Sequence, residues 1–445
     1  VPKKRLLSAV LAGLSVMTPA SSEVVGVADR VFLVPDAPGA GTRFQMIVGA
    51  GCLDEPEGRC LGLAHYLEHL VMLGRNAGHG EAAVRLIGDG GANGWTLERA
   101  TVYSHILPAR PGGSAADLER LFGFYAGRLR DFAITPADAA RERDVVVQEH
   151  DGRVQGNAFV ALERTLARML LPDRPNGQWV VGEREALRAM TVEAARAFHR
   201  DWYHRNNVWF LVSGAVTPTE VKALAEKALA GLSEPPLPER PLVAPPEFVT
   251  GRTDLRQTST AIRRAGVIVK KLVNLPEPDL VEARAARRLF GDFLASRLPG
   301  SLIGQLGDRD GLIATRPTIT LERLGAGSYI LHVGVDVAAG VDPAEVREAI
   351  VDYLEGLETN PGLDDPTVAR LQRRFVNTQS DIAQDSRREF GQLASWLASG
   401  GTPDMLARWT ARVPLLPPAA VRAFAAAFAG EGRVVTGILE PPGEN

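Results

Sequence analysis

The stretch His65-Tyr66-Leu67-Glu68-His69 decides how this chain is read. The chain has eight histidines in 445 residues, so composition alone rarely puts two of them around a glutamate in this way. Residues 61–74 carry the pattern of a helix. At about 100° per residue, His65 and His69 stand about 40° apart on one face, with Glu68 about 60° to the other side of His65. Two imidazoles so placed can hold one Zn2+, and the glutamate can reach a water on that ion without being a ligand itself. Helical histidines with core or solvent roles are the plain alternative.

A zinc ion that does chemistry usually takes a third protein ligand and keeps one position open. Downstream, Arg141-Glu142-Arg143-Asp144-Val145-Val146-Val147-Gln148-Glu149-His150 places Glu142 and Glu149 two turns apart on one helix face. Val145 and Val146 lie between them, so the face is semi-buried and its carboxylates need partners. Spacing alone leaves two readings open: a metal site, or a charged helix edge paired with Arg141 and Arg143. His79, His105, His150, His199, His204 and His332 lack ligand spacing and read as structural or surface residues.

Composition excludes several classes. The length suggests two to three domains, and a 45% hydrophobic, 23% charged chain can bury sizeable cores. Fifty Lys+Arg against 53 Asp+Glu leave no basic excess for a nucleic-acid footprint. Neither a G-x-S-x-G elbow nor a phosphate loop is present, which argues against a serine hydrolase or nucleotide enzyme. Lys3, Lys4 and Arg5, then an apolar run from Leu6 to Met17 and Thr18-Pro19-Ala20, have the layout of a secretory signal peptide. An N-terminal helix buried in the fold is the other reading. Removal of residues 1–20 would leave a soluble periplasmic or secreted chain. The two cysteines, Cys52 and Cys60, bracket a loop leading into the histidine helix. Outside the cytoplasm they can bridge and pin that loop, or remain two free thiols.

Strands are expected at Val31 to Val34 and Phe44 to Val48, then at Thr318 to Leu321 and Tyr329 to Val337. Helices are expected near 61–74, 115–130, 136–154 and 191–202, and again near 279–296, 343–357 and 366–384. Thr217-Pro218-Thr219-Glu220 is a helix-start signature. A Pro-rich stretch from Glu234 through Pro246 reads as a linker between halves with the same coarse order of elements. Uneven blocks of strand and helix indicate an α+β fold.

The chain resembles the pitrilysin/insulysin/mitochondrial processing peptidase family of inverted-motif zinc metallopeptidases. The resemblance is carried by Gly62-Leu63-Ala64-His65-Tyr66-Leu67-Glu68-His69 and by Gly90-Gly91-Ala92-Asn93-Gly94-Trp95-Thr96 with Tyr103 after it. Glu142 and Glu149 also match, as does Tyr203-His204-Arg205-Asn206-Asn207 before a strand. It covers nearly the whole chain and is most specific between residues 47 and 215. It implies a metalloendopeptidase subunit with one Zn2+ per chain, held by His65, His69 and Glu149, with Glu142 backing the site. Glu68 is then the general base on a zinc-bound water. Asn93, Gly94, Trp95 and Thr96 would lie on an edge strand that a peptide joins as an added strand. Gly94 stands where the family has alanine, and Trp95 lines a pocket or packs in the core.

The resemblance also implies two structurally related α/β domains, each a mostly antiparallel sheet with helices on one face. Residues 21–233 form the zinc-bearing domain, 234–250 the linker and 251–445 a related non-catalytic domain. One departure bears on partners. The family places an Arg and a Tyr in a segment matched here by Leu306-Gly307-Asp308-Arg309-Asp310-Gly311-Leu312-Ile313-Ala314. Gly307 and Ala314 occupy those positions; Arg309 or Arg316 can replace the charge, but nothing restores the phenol. The implication is a heterodimer with a homologous chain that lacks zinc and carries the pair, a homodimer being the lesser option. A non-catalytic scaffold subunit of the same fold is the competing reading.

Overall fold

A computed structural model describes residues 24–73, 91–109, 113–172, 179–240, 249–277, 279–309, 311–325 and 327–442. The signal-peptide segment, His79 and Gly90 lie outside them, as do residues 241–248 of the expected linker. The first half runs β1 Val25–Ala28, β2 Val31–Pro35, β3 Thr42–Val48, α1 Leu63–Met72, β4 Ala92–Thr96 and β5 Thr101–Leu107. It continues with α2 Gly113–Arg130, α3 Pro136–Gln155, α4 Ala158–Leu170, α5 Arg184–Ala189, α6 Val192–Trp202, β6 Val208–Gly214 and α7 Pro218–Leu229. The second half runs β7 Gly251–Thr258, β8 Gly266–Asn274, α8 Leu280–Leu294, β9 Thr318–Gly325 and β10 Ser328–Asp336. It closes with α9 Pro343–Glu355, α10 Asp365–Ala383, α11 Ser386–Ala398, α12 Pro403–Arg412, α13 Pro418–Ala426 and β11 Arg433–Glu440. Nearly every expected element is present, with ends shifted by a few residues. Thr217 makes the expected reciprocal cap: its hydroxyl accepts from Glu220 N at 3.3 Å and its own N–H donates to the Glu220 carboxylate at 2.7 Å.

Two sheets form, in strand order β1-β2-β6-β3-β5-β4 and β7-β11-β8-β10-β9. In each, one pair is parallel (β2 with β6, β7 with β11) and the following pairs are antiparallel. Apart from the added β1, the two halves therefore share one topology. Among the described residues, the α-helix between the second and third shared strands is α1 in the first half and α8 in the second. The third shared strand, β4 or β9, is an edge of its sheet. The fold is thus α+β, with two related mostly antiparallel sheets.

The compact units are not contiguous in sequence. One comprises the described residues of Val1–Asp151, Gln178–Leu242 and Gln379–Leu406; the other takes those of Gly152–Gly177, Val243–Thr378 and Ala407–Asn445. The period of two along a strand explains why. In the first sheet Leu33, Phe44, Met46, Tyr103, Phe210 and Val212 bury one face under the unit's own helices. Val34, Ile47, Val102 and Leu211 point to the other face, which Phe390, Leu393 and Leu397 of α11 cover. In the second sheet Ile268, Leu272, Ile330, Val435 and Leu439 pack on Leu162, Leu166 and Leu170 of α4. Each sheet's own helices cover one face, and a helix from the other half of the chain covers the second. A sheet apolar on both faces needs both covers.

Candidate metal centre

Helix α1 begins in tight quarters. Gly62 has φ 101°, a left-handed conformation that side chains other than glycine resist, and a Cβ there would lie 2.5 Å from Leu187 and 2.8 Å from the Val181 carbonyl. Gly62 offers no side chain to cap the helix. Glu55 does so from outside. Its Oε2 accepts from Leu61 N at 2.8 Å and Gly62 N at 3.1 Å, and its Oε1 accepts from Ala64 N at 3.0 Å. Burial pushes the Glu55 carboxyl up to about 7, against the downward pull of these donors.

Cys52 and Cys60 form a disulfide on either side of Glu55, so the bridged alternative holds and the loop is closed by a covalent link. Asp54, in the same loop, accepts from Gly51 N at 2.9 Å, and pairs with Arg99 at 2.8 Å and Arg240 at 3.2 Å. Arg240 also donates to the Gly49 carbonyl and lies over the Trp202 ring at 5.3 Å. This end of the Pro-rich stretch is therefore docked on the loop leading into α1.

Along α1 every residue is buried except His69 and Met72, which are half-buried. Leu63, Leu67 and Leu70 enter the core, and the Tyr66 hydroxyl donates to the Ala139 carbonyl of α3 at 2.7 Å. That bond ties α1 to the helix that carries Glu142 and Glu149. The Tyr66 phenol is pushed up to about 12, by burial first, and stays protonated.

The structure brings the expected residues together. His65 Nε2 lies 3.6 Å from Glu149 Oε2, and His69 Nε2 lies 3.3 Å from the same oxygen. One donor atom from each of His65, His69 and Glu149 lies within 4.8 Å of the others. Zinc bonds of about 2.1 Å give a tetrahedral edge of about 3.4 Å, so this two-imidazole, one-carboxylate set fits a zinc ion. The remaining ring nitrogen, His69 Nδ1, lies 3.6 Å from Glu142 Oε2. Arg141 approaches Glu142 at 3.7 Å and pairs with Asp138 at 2.7 Å, so the charged-edge reading describes part of this face as well. Burial alone would lower the His69 pKa; the hydrogen bond to Glu149 and the charges of Glu68, Glu149 and Glu142 outweigh it and raise the value. A proton and a metal ion compete for the same lone pair there.

Glu68 is buried on α1 and accepts a hydrogen bond at Oε2 from Thr96 Oγ1 at 2.9 Å. Thr96 and Gly94 belong to β4, the edge strand, where Asn93 is exposed. Trp95 turns to the opposite face and packs against the cluster covered by α11. Behind the site Tyr103 and Tyr203, a hundred residues apart in the chain, meet hydroxyl to hydroxyl at 2.7 Å. His105 bonds Tyr125 at 2.7 Å and His199 bonds the Arg128 carbonyl at 2.9 Å; burial lowers both imidazoles to about 4, so they stay neutral. In the second half Arg316 donates to the Ala295 carbonyl at 3.3 Å, and Gly304–Arg309 forms a short π-type turn. Sequence reasoning did not single out Glu55. Its only signal was a place between two cysteines ahead of a helix whose own first residue is glycine.

Residues 189–375 match the Peptidase M16 inactive domain; the His65–His69 stretch lies outside that match. The chain is 27% identical over 378 residues to coenzyme PQQ synthesis protein F of Pseudomonas aeruginosa, a match covering 79% of this chain and 46% of that protein. The chain thus spans about half the length of that relative. It is 29% identical over 270 residues to an uncharacterized zinc protease of Mycobacterium leprae, with 60% of this chain and 58% of that one covered. Among solved structures, a protease from Helicobacter pylori superposes with a TM-score of 0.77 at 18% identity, covering 92% of this chain and 97% of that one. The chain therefore has the fold of M16-type peptidases and zinc proteases among its relatives, with residues 189–375 matching that family's inactive domain.

Proposed function

We propose that this chain is a zinc-dependent endopeptidase subunit that hydrolyses peptides or unfolded polypeptides. The observation that carries the reading is the convergence of His65, His69 and Glu149 donor atoms within 4.8 Å beside the buried Glu68. His65, His69 and Glu149 would hold the ion, with Glu142 fixing the His69 ring. A zinc ion, when bound, supplies polarisation of a carbonyl and acidification of water. Glu68 takes a proton from the attacking water onto its carboxylate and delivers it to the leaving amine. The open side of β4, with Asn93, Gly94, Trp95 and Thr96, receives the substrate backbone as an added strand.

The working assembly in this reading pairs the chain with a homologous subunit that lacks zinc and supplies the Arg and Tyr missing at Gly307 and Ala314. Residues 21–233 are then the zinc-bearing part and 251–445 the related part without metal. A periplasmic or secreted setting is supported by the Cys52–Cys60 disulfide, which persists in oxidising compartments. Among the described residues, no helix is long and apolar enough to cross a membrane. A scaffold role is favoured by one finding, the match to the inactive domain.

The deciding experiment measures zinc per chain and cleavage of labelled casein together, with and without a homologous chain. Glu68→Gln should keep zinc and abolish cleavage, whereas Glu149→Gln should lower zinc as well. A Glu68→Gln protein that cuts at the parent rate overturns the reading. No cleavage under any condition, with zinc bound, turns it to the scaffold.

A further inference from the structure

A general base works only when its carboxylate is aimed, and a glutamate has three side-chain torsions to fix. Two features of β4 fix those of Glu68. Thr96 Oγ1 holds Oε2 at 2.9 Å. Opposite the other oxygen stands Gly94: a Cβ built there would lie 2.6 Å from Glu68 Oε1, 3.1 Å from Cδ and 3.2 Å from Cγ. A Cβ at position 94 would displace the tip of the Glu68 side chain, so glycine there leaves the carboxylate free to take its observed position. Residues 94 and 96 share one face of the strand, while Trp95 between them packs on the other. One strand therefore grips one carboxylate oxygen and clears room for the second.

We infer that Gly94 and Thr96 are positioning residues that set the direction of the Glu68 carboxylate, and that neither acts by contacting a peptide side chain. The inference rests on the reading of Glu68 as general base. It gives β4 two roles at once, since its edge takes the substrate backbone and its inward face holds the group that activates water. The strand that binds the peptide then also fixes the distance between base and scissile bond. Such coupling is useful because a displacement of about 1 Å at a reacting group can cost about a hundredfold in rate.

The test uses the full chain, loaded with zinc, as Thr96→Val, Thr96→Ser and Gly94→Ala. Each variant is crystallised, its zinc content measured, and its kcat and KM determined on fluorescein-labelled casein. Thr96→Val should keep one zinc per chain, move the Glu68 carboxylate to another rotamer, and lower kcat about tenfold to a hundredfold at a KM within about twofold, while Gly94→Ala should keep zinc and displace the Glu68 carboxylate from its observed position. Thr96→Ser, which keeps the hydroxyl, should restore both the rotamer and kcat. A Glu68 carboxylate that stays in place in both Thr96→Val and Gly94→Ala overturns the inference whatever the turnover. A rise in KM at unchanged kcat also overturns it, because it marks a substrate contact. In Thr96→Val, a carboxylate that moves while kcat holds supports the positioning role and instead removes Glu68 as the base. If casein is not cut by the parent chain, the crystallographic comparison alone decides.

Discussion

Helices α1 and α8 occupy the same place in two sheets of the same topology, yet they are started, held and armed differently. Asp279 caps α8 in the ordinary way, its Oδ1 accepting from Val281 N at 2.7 Å and Glu282 N at 3.1 Å. In α1 the cap is Glu55, reaching in from a disulfide-closed loop, and the helix starts at a left-handed glycine. Toward the edge strand, α1 sends Glu68 to Thr96, whereas α8 sends Arg287 to the Leu321 carbonyl at 3.0 Å. Arg284 and Arg287 of α8 stand near Arg323, which pairs with Glu277 at 2.7 Å, and Arg288 of the same helix pairs with Asp292 at 2.7 Å. Burial lowers the pKa values of Arg284 and Arg287. The same architecture thus hosts a pair of imidazoles facing carboxylates in one half and a guanidinium cluster with carboxylate partners in the other. Topology provides the place, and the residues on the helix decide the chemistry.

The comparison breaks most easily at the donors. His65→Ala should weaken zinc binding by about a thousandfold or more, by loss of one of three protein ligands, while Arg284→Ala in α8 leaves zinc content unchanged. Chelator competition followed by metal analysis reads both. Next in size is the cap. Glu55→Ala strands three buried N–H groups and should cost about 3 kcal/mol in urea unfolding, against about 1 kcal/mol for Asp279→Ala at its exposed counterpart. Equal losses would remove the distinction between the two helix starts. Glu142→Ala should loosen the His69 ring and weaken zinc about tenfold to a hundredfold, with Glu142→Gln losing less because it keeps a polar group beside Nδ1.

The finest test is pH. The Glu55 carboxyl sits at about 7 when folded and near the ordinary glutamate value of 4.5 when unfolded, so the folded state binds the proton more tightly. Its contribution to stability is complete below about 4.5 and is lost as pH rises toward about 7. Glu55→Gln should remove that decline, so subtracting the variant's thermal midpoints from the parent's across this range isolates it. A difference that is flat with pH would mean that the carboxyl is ionised throughout.

Much of this was legible from residue order. His65, Glu68 and His69 fall within one turn of a helix, and helix geometry alone puts them together. The cap at Thr217 follows from local signals in the same way. Glu149 was harder: its seven-residue spacing from Glu142 is equally that of a charged helix edge. Glu55 and the Gly94–Glu68 approach carried no local signal, because each depends on a backbone that arrives from another element.

By itself the sequence determined which residues share a helix face or a strand face, because those periods are local properties of the backbone. It also determined that a divalent ion would suit the pair in α1. The tertiary structure alone decided that α3 runs close enough for Glu149 to reach both imidazoles, that β4 lies over Glu68, and that α4 and α11 cover sheets belonging to the opposite halves. Those outcomes depend on apolar faces finding cover across long separations, and burial of that kind acts on area without regard to order along the chain.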